Sequence, residues 1–368
     1  FFVPAFLIGV LAVPFVVAPF VAKTPLDPPL ERGEEFESSS PSQGEAGRGQ
    51  VEHVPLPPEV RGIYWAALTA TTARAEELLA YMLETGLNTV VIDVKMDNGE
   101  LVEASEFEEI LETLYDAGIY RIARIAVMRD SAFAQAHPNL ALGSGLDNGI
   151  WRDNTGAAWL DPAAPEVADY AIELGRRFYE AGFDEIQYDY VRFASDDALS
   201  SIVYPVYDSA ESKIAVMRRF FERVGGALSE DGIPVSFDLF GMTFWSHHDY
   251  NIGQRLVDVL PYADFVSPMV YPSHYVDDFK GYANPAEYPY EIVKRSLDEG
   301  LLLTRGVFAG SDTELAARFR PWLQDFDIGA VYTSEYIEAQ IQAARDAGAG
   351  GWMLWNARNV YEPARYLP

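Results

Sequence analysis

Cysteine is absent from the 368-residue chain. That excludes disulfides, thiolate chemistry and Cys-based zinc sites. Basic residues are scarce, with 27 Lys and Arg against 56 Asp and Glu, for a formal net charge of −29. A surface this acidic repels phosphate backbones, so nucleic acid is not an expected partner. The excess acid reads as solvated, solubilising faces. Several signatures are also missing. No phosphate-cradling glycine fingerprint follows the first strand-like run, which argues against a dinucleotide fold. No Gly-x-Ser-x-Gly elbow occurs, which argues against serine-hydrolase chemistry. His247-His248-Asp249 lacks a spaced third ligand and any HExxH pattern, so no metal and no cofactor is expected.

What is present begins with an apolar run, Phe1 to Ala22. About 20 such residues can span a bilayer, and Pro4, Pro14 and Pro19 make it a poor packed helix. The expectation is a signal peptide or membrane anchor over 1–22, and an extracellular or cell-surface protein whose membrane contact is confined to that segment. Residues 23–57, rich in Pro, Glu, Ser and Gly, read as a disordered linker. The folded domain is expected over 58–368.

From Val60 the pattern alternates between strand and helix. Strands are expected over Val60–Ala67, Asn88–Lys95, Tyr120–Met128, Glu185–Phe193, Pro234–Gly241, Ala263–Pro272, Arg318–Phe326 and Gly350–Ala357. Helices are expected over Thr72–Thr85, Glu106–Ala117, Pro165–Ala181, Ser209–Ser229, Ile252–Leu260, Glu287–Glu299 and Ser334–Ala347. Eight strands with crossover helices predict a parallel α/β fold closed as a (β/α)₈ barrel. The seventh strand is the weakest, because Pro321 sits inside it. The chain stops soon after the eighth strand, so an eighth helix is short or absent. Arg129–Pro162 is a long insertion after the third strand, with a hairpin turn at Asp153-Asn154-Thr155-Gly156 flanked by Trp151 and Trp159.

In such barrels the chemistry sits at the carboxyl ends of the strands. Asp189 on the fourth strand and Asp238 on the fifth are acids set in apolar runs, costly to bury without partners. A pair of carboxylates can cleave a glycosidic bond, one as acid and one as nucleophile or base, and these two are the candidate catalytic residues. Asp238, between Phe237, Leu239 and Phe240, suits the protonated acid, and Asp189 the nucleophile or charge stabiliser. Alternation puts Asp93 and Lys95 on one side of the second strand as a charged pair at the mouth or an internal salt bridge. Trp65, Tyr190, Arg192, Tyr271, His274, Trp355 and Asn356 complete the candidate substrate-binding set, the aromatics stacking on sugar rings.

The ordered motifs RGIYW, NTVVIDVK, GFDEIQYDYVRF, SFDLFG, NIGQ, FVSPMVYPSHY, RPWLQDF and GGWMLWNA resemble a family of uncharacterised bacterial glycoside hydrolases, related in fold to α-amylase-like (β/α)₈ sugar hydrolases. The resemblance runs from about Pro58 onwards. It implies a carbohydrate substrate, with Asp189 in the nucleophile position. Where α-amylase-like barrels carry a Glu ending the fifth strand this chain has Asp238, and Gln187 stands where many of them have an Arg. A different class fits the aromatic mouth as well: a surface-anchored barrel that binds glycan without cleaving it.

Overall fold

The computed structural model describes residues 51–195 and 198–367. The expected leader over 1–22, and the expected linker as far as residue 50, lie outside the described residues. No helix among the described residues is long and apolar enough to cross a membrane.

Eight strands close one parallel barrel: β1 (Val60–Trp65), β2 (Thr89–Lys95), β3 (Tyr120–Ala126), β4 (Glu185–Asp189), β5 (Val235–Phe240), β6 (Phe265–Met269), β7 (Trp322–Gln324) and β8 (Gly351–Trp355). Each pairs with its sequence neighbours, and β8 closes on β1 through Val60–Gly351 to Ile63–Leu354. The (β/α)₈ architecture expected from the alternation is therefore borne out. The strands read as near-continuous apolar runs because both faces are covered, one by the barrel interior and one by helices.

The outer layer contains α1 (Arg74–Thr85), α2 (Glu108–Asp116), α3 (Pro165–Glu180), α4 (Lys213–Glu230), α5 (Leu256–Val259), α6 (Pro289–Thr304) and α7 (Ser334–Asp346). Each long helix buries one stripe, such as Leu78, Leu79 and Met82 in α1 and Val216, Met217, Phe220, Phe221 and Val224 in α4. Local chemistry sets the ends. Ser212 caps α4 by accepting from Ala215 N at 3.2 Å, Pro165 opens α3 at a position where a missing N–H costs nothing, and Gly86 ends α1 in the left-handed region at φ 78°.

Pro321 shortens β7 to three residues. It cannot donate, but its carbonyl still accepts from Met353 N at 3.0 Å, and the strand resumes at Trp322. No helix follows β8 among the described residues. An extended strap runs instead from the carboxyl end of β1 onto the helical layer: Asn359 accepts from Ala66 N at 2.8 Å and donates to Tyr64 O at 3.0 Å, and the Tyr366 hydroxyl meets that of Tyr81 in α1 at 2.7 Å.

Part of the stretch read as linker is tied to the barrel. Arg121 reaches Glu52 O at 3.1 Å, and Val54 N donates to Asp184 at 2.8 Å. Composition sees only the scarcity of apolar residues there, whereas the anchoring runs through backbone groups.

Asp325 lies under the strap, 2% exposed. Burial pushes its carboxyl up to about 7, against a weak donation from Glu362 N at 3.4 Å. The folded chain thus keeps a proton that the unfolded chain releases near pH 4. Stability from this group is full below that value and is lost as pH rises through about 7. Asp325→Asn should abolish the loss and raise stability at pH 8 by a few kcal/mol, because each tenfold change in proton affinity between the folded and unfolded chain is worth about 1.4 kcal/mol. Urea midpoints of parent and variant between pH 4.5 and 8 would decide it; parallel curves would contradict the assignment.

Candidate active site

The barrel interior is polar in layers. At the amino end, Glu185 forms a buried ion pair with Arg320 and accepts from Ser236 at 2.6 Å and Tyr120 at 3.2 Å. In the middle, Gln187 donates to Ser267 at 3.2 Å beside Met353. At the carboxyl end, four adjacent strands each send one charged side chain inward: Asp93 from β2, Arg124 from β3, Asp189 from β4 and Asp238 from β5.

Arg124 is the hub. Its two terminal nitrogens bind Asp93 and Asp189, and its Nε lies 3.5 Å from Asp238 Oδ2. The guanidinium carbon sits 5.0 Å from the Trp355 ring centre. Tyr64 donates to the other oxygen of Asp93 at 2.6 Å, and Trp322 Nε1 donates to Asp238 Oδ1 at 2.8 Å. Asp238 Oδ2 has no hydrogen-bond partner among the described residues. Asp189 takes a second donor, the Tyr190 N–H, at 2.6 Å.

Three carboxylates around one guanidinium leave excess negative charge in a dry site. Burial pushes the carboxyl of Asp93 up, opposed by Arg124 and the Tyr64 hydroxyl. It pushes Asp238 much further up, and repulsion from Asp189 adds to the effect. Asp238 is the deeper of the candidate pair, its side chain 1% exposed against 9% for Asp189. Burial, then the charges of Asp238 and Asp189, raise the hydroxyl of Tyr271 as well.

The candidate residues divide. Asp93, Asp189, Asp238, Tyr271 and Trp355 converge on the hub. Tyr190 stands at the rim, half-buried. Arg192 packs flat between Trp159 and Phe240, 4.8 and 4.5 Å from their ring centres. His274 is an exposed rim residue stacked obliquely near Tyr271 and Phe326.

Three expectations are corrected. Trp65 points outward into the helical layer, and its neighbour Tyr64 faces the site; in an aromatic pair, alternation gives only one of them the mouth. Lys95 does not pair with Asp93. A bulge between them shifts the register from Asp93–Arg124 to Lys95–Ile125, so Lys95 turns to the outside and pairs with Asp130 at 2.8 Å. Asn356 ties loops rather than facing the cleft, donating to the carbonyls of Asp325 and Val360 at 2.5 Å each.

Arg124, Tyr64 and Trp322 were not among the expected site residues. Arg124 had a readable signal: it lies in the apolar strand YRIARIA, and a cation in such a strand needs acidic partners.

Strand-borne acids cluster here at the carboxyl mouth of a (β/α)₈ barrel, the face where such barrels build their sites. The sequence profile of the family described as "Putative glycosyl hydrolase domain" matches residues 62–361, and the chain belongs to that family. Solved structures that superpose with TM-scores above 0.5 share the fold. The glycoside hydrolase domain of PgaB (BpsB) from Bordetella bronchiseptica superposes with a TM-score of 0.58 at 16% identity, over 81% of this chain and 94% of that one. The spore cortex-lytic enzyme SleL of Bacillus megaterium gives 0.52 at 11% identity, over 85% and 73%. A hypothetical protein from Ruminiclostridium thermocellum is 27% identical over 48% of this chain and 96% of its own, with a TM-score of 0.42. No curated protein matches the chain.

Removing the guanidinium while keeping its bulk, as in Arg124→Met, should cost about 3–5 kcal/mol at pH 7, because it leaves buried carboxylates uncompensated. In that variant, protonating the acids restores neutrality, so stability should recover as pH falls toward about 4, the ordinary carboxylate range. Denaturant unfolding at both pH values is the check, and an equal loss at both would contradict the charge-hub assignment.

Proposed function

We propose that the chain hydrolyses a glycosidic bond of a polysaccharide or oligosaccharide, with Asp189 as nucleophile and Asp238 as general acid and base. The observation that carries this reading is the asymmetry of the two acids on one guanidinium. Asp189 has both oxygens engaged, one by Arg124 and the other by the Tyr190 N–H. Asp238 is buried, pushed toward the protonated form, and keeps one oxygen without a partner. An acid kept protonated by its surroundings is suited to the role of proton donor.

The steps then follow. Asp238 gives its proton to the glycosidic oxygen as the bond to the anomeric carbon breaks, and Asp189 attacks that carbon. Asp238, now a carboxylate, takes a proton from water, whose oxygen displaces Asp189 and releases the sugar. The two acids are neighbours one register step beyond the Tyr188–Phe237 pairing. Adjacent strands lie about 4.8 Å apart, which suits the spacing of about 5–5.5 Å used by retaining enzymes. Trp355, Tyr190, Phe240, Met269 and Phe326, all half-buried, border the mouth and offer faces for sugar rings. The apolar run Phe1–Ala22, read as leader or anchor, suits a substrate outside the cell.

A polysaccharide hydrolysis screen with the full chain tests the reading. On any substrate found, Asp189→Asn and Asp238→Asn should each lower kcat by at least the roughly 10²–10⁴ attributable to acid–base catalysis, with the fold intact by circular dichroism. The released sugar should keep its anomeric configuration by proton NMR. Because Asp238 acts in its protonated form, kcat/KM should fall as pH rises through its elevated pKa. Near-parent turnover in both variants would remove these two acids from the chemistry, and a screen that finds binding without hydrolysis would favour a barrel that holds glycan without cutting it.

A further inference from the structure

Tyr190 follows the proposed nucleophile and occupies the left-handed region at φ 54°. A bulky aromatic is rare there and persists only where its surroundings hold it. Here the hold comes from three sides. The hydroxyl donates to Asp97 Oδ2 at 2.9 Å. The Arg129 guanidinium lies 5.5 Å from the ring centre and binds the same Asp97 oxygen. Trp159 meets the ring edge-on at 6.0 Å. Arg129 is in turn fixed by Asp153 at 2.8 Å and by Thr155, and Asp153 also accepts from Trp159 Nε1 at 2.9 Å. The turn of the insertion after β3 is thereby locked onto the residue beside Asp189. The product of that lock is the 189–190 peptide plane, whose N–H points at Asp189 Oδ1, 2.6 Å away.

We propose that Asp97 and Arg129 are positioning residues that act on Asp189 through Tyr190. Asp97 lies just beyond the end of β2, its side chain 39% exposed. Its side-chain hydrogen bonds go to Tyr190 and Arg129, both members of the clamp. Arg124 and Tyr190 thus hold Asp189 from opposite sides: the first fixes one oxygen from inside the barrel, the second fixes the other from the rim. The hairpin becomes part of the catalytic apparatus without touching the reacting atoms. The kinetic half of this inference rests on the reading of Asp189 as nucleophile; the structural half does not.

Four full-length variants separate the possibilities: Asp97→Ala, Asp97→Asn, Tyr190→Phe and Asp189→Asn. A misplacement of about 1 Å can cost roughly 10²-fold in rate, so Asp97→Ala should lower kcat by about 10- to 100-fold with KM within about threefold. Asp97→Asn, which keeps an oxygen acceptor for the Tyr190 hydroxyl, should restore most of the loss. Tyr190→Phe, which removes only the hydroxyl, should fall between them. Independently of turnover, the backbone amide proton of Tyr190 should be strongly downfield and exchange-protected in the parent and Asp97→Asn, and should move upfield and lose protection in Asp97→Ala. Parent-like kcat together with an unmoved amide signal in Asp97→Ala would overturn the proposal. So would a loss that appears only in KM, which would make Asp97 a substrate contact. If Asp189→Asn keeps its turnover, the hydrolytic assignment falls, while the amide signal still decides whether Asp97 holds the turn.

Discussion

The guanidinium of Arg124 is the constraint on which the mouth of this barrel depends. Three aspartates from three strands converge on it, and none could be buried there alone, since an isolated carboxylate in a dry interior costs several kcal/mol. Because the partners come from β2, β4 and β5, the same cation fixes the relative heights of four neighbouring strands. It also grades the acids. Asp93 has both oxygens engaged, by Arg124 and Tyr64. Asp189 has one oxygen on Arg124 and the other on a backbone amide. Asp238 faces only the edge of the guanidinium, at 3.5 Å, and keeps an oxygen free of hydrogen bonds. One cation is thus shared unequally among three identical side chains.

That arrangement fits how the barrel divides its labour. The apolar driving force comes from the shell between strands and helices, where Trp65, Phe178, Phe221 and Leu297 are buried. The interior contributes less apolar area and more register. Glu185–Arg320 links β4 to the approach of β7 at one end, Gln187–Ser267 links β4 to β6 in the middle, and the Arg124 cluster occupies the other end. Each polar link is satisfied only in one strand alignment, so the interior selects the register that the outer shell stabilises.

The parts legible in the sequence follow from this division. Strand and helix alternation is a period argument, and it holds wherever apolar packing decides the structure, down to the weak seventh strand. Asp189 and Asp238 stand out because an acid in an apolar strand has few explanations. Two kinds of site information stay hidden. One is the side a residue faces where regularity breaks: a single bulge sends Lys95 out of the barrel, and the neighbours Tyr64 and Trp65 look equivalent until the register is known. The other is partnership at long range. Arg124 and Asp189 are 65 residues apart, and nothing local says that a cation on one strand will serve acids on three others. Arg124 was readable as an anomaly, an unexplained charge in an apolar run, but its role was not.

The distribution of rigid and adaptable parts also bears on what such a site can do. The acids and their cation sit on strands, held from both faces, so their geometry tolerates little change. The rings that border the mouth, Tyr190, Phe240, Phe326 and Trp355, sit at strand ends or in the connections that follow them, where insertions are tolerated. The hairpin after β3 joins the two regimes. It is a loop insertion, yet Arg129 and Asp153 fasten it to a strand-end residue adjoining an acid of the hub. A change in that hairpin can therefore reach the carboxylates through Arg129, Asp97 and Tyr190. The placement of Asp189 is thus set partly by a loop, although the residue itself stands on a strand.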